Sequence, residues 1–257
     1  MGEHSIIAAT AASVLAAAVP AHASPWNRND GGLFMSTTAN YYWSGDGASS
    51  YSRIDNDTYL EFGVTPAWML GGRVSYGNSF SKSAAGTTAE AGLNEAELYL
   101  QRQIQRGEHS ATSLKLSGIR SGSLSTDAQS GAPTPNMEIE FRALHGRDIL
   151  LNPFKIFAAA EAGYRRRFGG DADQVRADAL IGLEPSSSWL ILVEAQSIVS
   201  LQNEDSGFSD FDLYKGQASI VWRKSLRWSF IVGARKEFSA RNLEPGAAIF
   251  AGLWSAF

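Results

Sequence analysis

Acidic and basic side chains recur two apart along this chain, and that spacing sets what chemistry they can do. Glu95 and Glu97, and Glu138 and Glu140, stand at i and i+2, so on an extended chain both members of a pair project from one face. Two carboxylates held side by side can serve glycoside hydrolysis. The same face, however, continues into Arg142, and later runs place Arg165, Arg167 and Arg176 at the same parity. Carboxylates opposite arginines across a sheet form ion pairs, and that is the reading preferred here. For Ser-His-Asp chemistry, the His residues beyond residue 23 are His109 and His145. The same-face neighbours two residues away are Gly107, Ala111, Ala143 and Arg147, none of them a serine. That chemistry depends on geometry rather than order, but nothing in the order favours it, and no catalytic residue is assigned. Zero Cys removes thiolate ligands, cysteine nucleophiles and disulfides. The acidic run Glu204, Asp205, Asp210 and Asp212 does not have the spacing of a calcium loop and reads as a solvated loop. No metal and no cofactor is expected.

The elements that must carry these charges are strands. Period-two patterning marks about twelve segments on the ~10-residue scale of membrane strands. They lie near 32–43, 53–65, 68–80, 92–105, 110–121, 136–147, 154–168, 173–184, 188–201, 210–223, 226–239 and 246–257. Short connections such as Thr65-Pro66-Ala67 and Lys224-Ser225 alternate with mostly longer ones rich in Gly, Ser and Asp, at 44–52, 81–91, 122–135, 169–172, 202–209 and 240–245. No helical period competes after residue 24.

Each strand has one apolar and one polar face. Ile156, Ala158, Ala160, Ala162 and Tyr164 oppose Glu161, Arg165 and Arg167, with Arg166 breaking the pattern. Val175, Ala177, Ala179 and Ile181 oppose Gln174, Arg176 and Asp178, and Trp189, Ile191, Val193 and Ala195 oppose Glu194 and Gln196. In a soluble sandwich the apolar face points inward; in a membrane barrel it faces lipid and the charges face the lumen. Trp43, Trp68, Tyr76, Trp189, Trp222 and Trp228 share the apolar parity and mostly sit near strand ends, where interfacial aromatic girdles lie. On that assignment the lumen is lined by Glu61, Arg73, Glu95, Glu97, Glu138, Glu140, Arg142, Glu161, Arg165, Arg167, Arg176, Asp178, Glu194, Lys215, Arg235 and Glu237. Arg165, Arg167 and Arg176 are expected to form a positive patch near the outer mouth, with Glu161, Asp178 and Glu194 deeper.

Both ends of the chain fit this architecture. Ile6 to Val19 is an Ala-rich apolar run followed by Pro20 and Ala21-His22-Ala23, a small-x-small pattern that reads as a signal peptide over 1–23, although no Lys or Arg precedes it. Residues 24–257 then form one domain. At the other end, Ile249, Ala251, Leu253, Ser255 and the final residue, Phe257, share one parity. A last strand running flush to the terminus suits a barrel that must pair its last strand with its first. A mean hydropathy of −0.16 argues against a helical membrane protein, whereas alternation lets a barrel read as soluble on average. The near-balanced charge, −4 in all, leaves no nucleic-acid footprint. The expected fold is therefore all-β, a single antiparallel up-and-down transmembrane β-barrel of about 12 strands.

The ending at Phe257 resembles the C-terminal signature of Gram-negative outer-membrane β-barrel proteins, which the barrel-assembly machinery reads; Ser255 departs from the bulky residue usual there. The hairpin Tyr59-Leu60-Glu61-Phe62-Gly63-Val64-Thr65-Pro66, followed by Trp68-Met69-Leu70-Gly71-Gly72-Arg73, is similar to hairpins of transporter-like outer-membrane proteins. The rows Ala162-Gly163-Tyr164-Arg165 and Arg176-Ala177-Asp178 also resemble that group, in particular its meta-pathway phenol-degradation members. The resemblance implies a location in the cell outer membrane, contact with outer-membrane lipid and passage of small, often aromatic or apolar molecules. It carries no catalytic residue across.

Two readings of function follow, with a purely structural barrel, lacking conductance and ligand, as a third. In one, the barrel is a channel for small solutes through a mixed-charge, weakly selective lumen. In the other it is an accessory of extracellular polysaccharide export or envelope assembly, with Tyr42, Tyr59, Tyr99 and Trp254 as inward aromatics able to stack on sugar rings. A barrel of ~12 strands lies between side-chain-filled and open ones, so either a packed or an open lumen fits.

Overall fold

The computed structural model of the 257-residue chain describes residues 24–45, 49–84, 86–124 and 137–257. The expected leader, 1–23, lies outside the described residues, as does most of the connection 122–135.

The strands are β1 (Leu33–Gly45), β2 (Ser50–Thr65), β3 (Trp68–Ser83), β4 (Gly86–Arg106), β5 (Ser110–Ser121), β6 (Met137–Leu150), β7 (Lys155–Arg167), β8 (Gln174–Ser186), β9 (Trp189–Ser200), β10 (Asp212–Arg223), β11 (Trp228–Arg241) and β12 (Gly246–Ala256). Each pairs antiparallel with its sequence neighbours, and β12 returns to β1 to close the barrel. This is the up-and-down barrel of about 12 strands that the period-two reading anticipates. Closure runs from Phe34↔Ala256 to Ser44↔Gly246. Beyond it, the Phe257 N–H donates to Leu33 O at 2.8 Å and the Leu33 N–H to Phe257 O at 3.0 Å, so the terminal residue is itself part of the seam.

Alternation of burial along every strand places the apolar face outward. Ile181, Val193, Leu116 and Val232 are each more than half exposed, and the charges they alternate with point in. A wall this apolar is not compatible with water on its outer side; lipid is its solvent, and a closed barrel leaves no unpaired backbone facing it. Aromatics ring both ends. Trp189 stacks with Trp222 at 6.4 Å, Trp222 with Phe230 at 5.7 Å, and Trp228 meets Phe257 edge-on at 6.1 Å. At the opposite end Tyr41 stacks on Trp43 at 5.5 Å, and Tyr76, Phe80, Tyr164 and Phe168 lie exposed.

One connection differs from the sequence reading. Residues 81–91 form no long loop; β3 and β4 continue past the expected boundary until Ser83 pairs with Gly86. Gly86 adopts a φ of 131°, a conformation that costs a side-chain-bearing residue dearly, at the first position of β4. The resulting β4 has 21 residues, about twice the 9–11 that cross a bilayer, so this hairpin stands well clear of the membrane zone.

Candidate functional site: a charged lumen above an apolar floor

At the end of the short turns the lumen is packed. Phe34, Met69, Phe157, Leu180, Leu190, Leu192, Val221, Ile231, Phe250 and Trp254 form one buried apolar cluster. The segment preceding β1 enters this floor. Trp26 packs against the cluster, and Arg28 lies over the Phe34 ring at 4.2 Å and forms an ion pair with Glu61. Inward polar side chains of β4 and β5 satisfy its backbone: Gln101 Nε2 donates to Ser24 O at 2.9 Å, Gln103 Nε2 to Pro25 O at 3.1 Å and Ser113 Oγ to Pro25 O at 2.6 Å. Two glycines make the close approach possible. A Cβ on Gly146 would lie 2.5 Å from the Trp26 ring, and one on Gly63 would collide with Asn29 O. Tyr59 and Tyr99 belong to the same floor, their hydroxyls 2.5 Å apart and both bonded to Glu61.

Above the floor the lumen is polar, with a cavity of about 220 Å³. Its wall on β2 to β8 is a continuous ion-pair network set by strand register. Glu140 faces Arg165 and Glu138 faces Arg167 across β6 and β7. Arg165 pairs with Glu140, with Glu138 at 2.8 Å and with Glu95 at 3.5 Å. Arg142 pairs with Glu140 and reaches Glu161 and Asp178, both at 2.5 Å. Arg73 pairs with Asp57 and lies 3.4 Å from Glu95. Lys115 lies 3.9 Å from Glu97, which also accepts from Ser117 Oγ at 2.6 Å.

The residues selected from sequence all fall on inward-facing positions, but they do not form one surface. Arg73, Glu95, Glu97, Glu140, Arg142, Glu161, Arg165, Arg176, Asp178, Lys215, Arg235 and Glu237 line the cavity. Glu61 lies below it in the floor, Glu138 and Arg167 pair toward the loop end, and Glu194 is buried in the wall, accepting from Gln217 Nε2 at 3.1 Å. The expected positive patch at Arg165, Arg167 and Arg176 is not one: Arg165 has three carboxylates, Arg167 pairs with Asp171 at 3.3 Å, and Arg176 lies 3.8 Å from Glu140. The cause is β6, whose Glu138 and Glu140 stand opposite these arginines. That same pairing occupies Glu138 and Glu140, so they make no free carboxylate dyad.

Strand alternation does not reveal the apolar floor or the segment before β1. A signal existed: Trp189-Leu-Ile-Leu-Val193 is apolar at both parities, which a lipid-facing alternation alone does not require. Leu190 and Leu192 are the inward members and are fully buried.

At the loop end, side chains tie connections together. Arg166, the exception to the β7 pattern, points outward and pairs with Asp173 at 2.6 Å. Asp173 also accepts from Tyr164 Oη at 2.7 Å, the Arg167 N–H at 3.0 Å and Asn203 Nδ2 at 3.1 Å. Burial works against its ionised form, but these bonds prevail and hold the carboxyl down at about 2. Asp210 and Asp212 are engaged by Arg241 at 2.6 and 2.8 Å, and the bond from Arg241 lowers the Asp210 carboxyl. His145 faces outward, bonded to Thr112 at 2.9 Å, and His109 sits at a turn 3.9 Å from Asp148. Among the described residues no group of three or more His, Asp or Glu side chains is placed to hold a metal ion.

This closed barrel, with lipid-compatible walls and a charged interior, is the architecture of outer-membrane β-barrels. The chain is similar to the COG4313 outer membrane channel from Pseudomonas putida F1, with a TM-score of 0.68 at 9% identity, covering 91% of this chain and 98% of that one. It is also similar to the KdgM porin in complex with disordered oligogalacturonate, TM-score 0.58 at 8% identity over 86% and 99% of the chains, and to the NanC porin, TM-score 0.54 at 6% identity over 85% and 98%. Identities this low relate the chains through their fold. No protein-family model and no curated protein sequence matches the chain.

Proposed function

We propose that the chain is an outer-membrane channel that passes small solutes through its mixed-charge lumen. The observation that carries this reading is the cavity of about 220 Å³ between apolar floor and loop end, lined almost throughout by charged and polar side chains. That is below the roughly 300 Å³ at which pockets for drug-sized ligands begin, so a solute of one ring or less suits it. Its partners are outer-membrane lipid along the wall and the barrel-assembly machinery acting on the strand that ends in Phe257. Passage beyond the cavity requires the Ser24–Asn29 segment to give way. The structurally similar channel and porins support the same class of activity. The likeness to the meta-pathway phenol-degradation group points to solutes with an apolar or aromatic part, and Phe250 and Ile231 among the lining residues would receive such a part.

The polysaccharide-export reading has less behind it. Tyr59 and Tyr99 are locked to Glu61 in the floor and Trp254 packs on Phe34 at 5.9 Å, so they offer no open stacking track for a polymer.

The test is reconstitution. Purified barrel in planar bilayers should give small conductance steps with weak ion selectivity, and vesicles containing it should swell in a monosaccharide but not in an oligosaccharide of several rings. Absence of both conductance and swelling from a barrel with folded gel mobility refutes the channel.

A further inference from the structure

On the β2 to β8 wall, arginines and carboxylates are paired by contact. On the opposite wall two basic side chains stand apart from the carboxylates. Lys215 on β10 and Arg235 on β11 both line the cavity, yet among the described residues neither side chain has a carboxylate oxygen within 4.0 Å or a hydrogen-bond partner. Register accounts for this. Lys215 faces Gln196 and Glu237, and Arg235 faces Gln217 and Ala248. Glu237 is turned to other donors, accepting from Tyr42 Oη at 2.9 Å and from the Gly246 N–H at 2.7 Å. The remaining carboxylates around them are committed: Glu194 to Gln217 at 3.1 Å, Asp178 to Arg142 at 2.5 Å and Asp55 to Arg53 at 2.8 Å.

Lys215 and Arg235 are diagonal neighbours on adjacent strands, a relationship that sets Cβ atoms at about 7–8 Å or less. Two like charges so placed, partly withdrawn from water and without a carboxylate in contact, are costly as packing. A single carboxylate between them would relieve both. What lies beneath defines the rest of a ligand. One inward position further toward the floor, Gly233 faces Phe250, whose ring covers the glycine, and the next on β11 is Ile231. Phe250 and Ile231 also line the cavity.

We propose that Lys215 and Arg235 form a carboxylate-binding subsite within the lumen, taking a small organic anion with an apolar body. The carboxylate bridges the ammonium and guanidinium groups, and the body rests on Phe250 and Ile231. The inference deepens the channel reading by giving the solute a class, and it rests on that reading only for the passage that follows binding.

Calorimetric titration of the full barrel in detergent tests it, with benzoate as probe, benzyl alcohol as the uncharged body and acetate as the carboxylate alone. Benzoate should bind, and the other two about tenfold or more weakly. K215Q and R235Q should each weaken benzoate about tenfold, the scale of one lost charge-assisted bond, while R235K retains most of the affinity and the outward-facing K236Q all of it. Heat-modifiable gel mobility establishes that each variant is folded. A folded parent that does not bind benzoate, or folded K215Q and R235Q that bind it as the parent does, overturns the subsite. Bilayer recordings separate the two proposals: benzoate binding by a barrel that conducts nothing refutes the channel and leaves the subsite, whereas conductance without benzoate binding does the reverse.

Discussion

Arg28 and Glu61 form an ion pair deep inside the barrel, their side chains only 7% and 2% exposed. The pair fastens the segment before β1 to the inward face of β2, beneath a cavity that otherwise has an apolar floor. Glu61 is further held by the hydroxyls of Tyr59 and Tyr99 at 2.6 and 3.2 Å, so the anchor is fixed on the wall.

The first prediction concerns that anchor. Removing one partner of a buried pair strands the other charge, at a cost of about 3–5 kcal/mol. Glu61→Gln should therefore loosen the segment while leaving the strand pairing of the wall intact. Single-channel conductance should rise, and the peptide bonds near Trp26 should become open to protease in folded barrels. Conductance and cleavage equal to those of the parent would show that Trp26 packing alone holds the floor.

A second prediction addresses which face meets lipid. Val193 is 54% exposed on the outer wall between Ile181 and Ala218, whereas Gln196 lines the cavity. Arginine facing lipid at mid-depth costs about 2–4 kcal/mol, and arginine in the lumen keeps its water. Val193→Arg should lower the folded fraction in lipid vesicles, read by heat-modifiable mobility, far more than Gln196→Arg. Equal tolerance would contradict the outward assignment.

How much of this was legible in the sequence depended on whether the determining pattern is local. Strand positions and faces were, because Val193, Ala179 and Ile181 differ from Glu194 and Asp178 by one residue of parity, a property of the strand itself. Partners were not. Arg165, Arg167 and Arg176 look like a basic row when read along β7 and β8, and only the register of β6 brings Glu138 and Glu140 against them. The floor was hidden for a similar reason. Pro25 and Trp26 carry no period, and their places are set by Gln101, Gln103 and Ser113, more than seventy residues away. The isolation of Lys215 and Arg235 was equally out of reach, since it depends on Glu237 turning to Tyr42 from the far side of the seam.

The third prediction concerns Arg142, which joins Glu140, Glu161 and Asp178. Arg142→Ala leaves Glu161 and Asp178 facing each other across β7 and β8 with no ion-pair partner among the described residues, while Glu140 keeps Arg165. Like charges so close raise each other's free energy, and a buried network broken at its hub loses about 3–5 kcal/mol. The barrel should unfold at lower denaturant concentration in vesicles, and in bilayers its reversal potential should move toward cation selectivity, because negative charge in a confined passage favours cations. An unchanged reversal potential in a folded variant would mean that the permeating ions do not pass this wall.

The last prediction is a pH dependence at the loop end, outside the membrane. The Asp173 carboxylate binds the 168–173 connection to β7 and, through Asn203, to the connection after β9. Its folded value, about 2, lies below its ordinary 3.8. The stabilisation from a depressed carboxyl is therefore complete above about pH 4 and is lost as pH falls through the folded value. The bonds lost join two connections to the rim of β7, so the effect should be local. Amide protection at residues 168–173 and 201–203, taken relative to the exchange of unstructured chain at the same pH, should fall below pH 4 while the strands stay protected. Asp173→Asn should show the lower protection already at neutral pH and little further change on acidification. Acidification that lowers protection equally in the parent and in Asp173→Asn would assign the change to another carboxylate, with Asp210, held down by Arg241, the next to substitute.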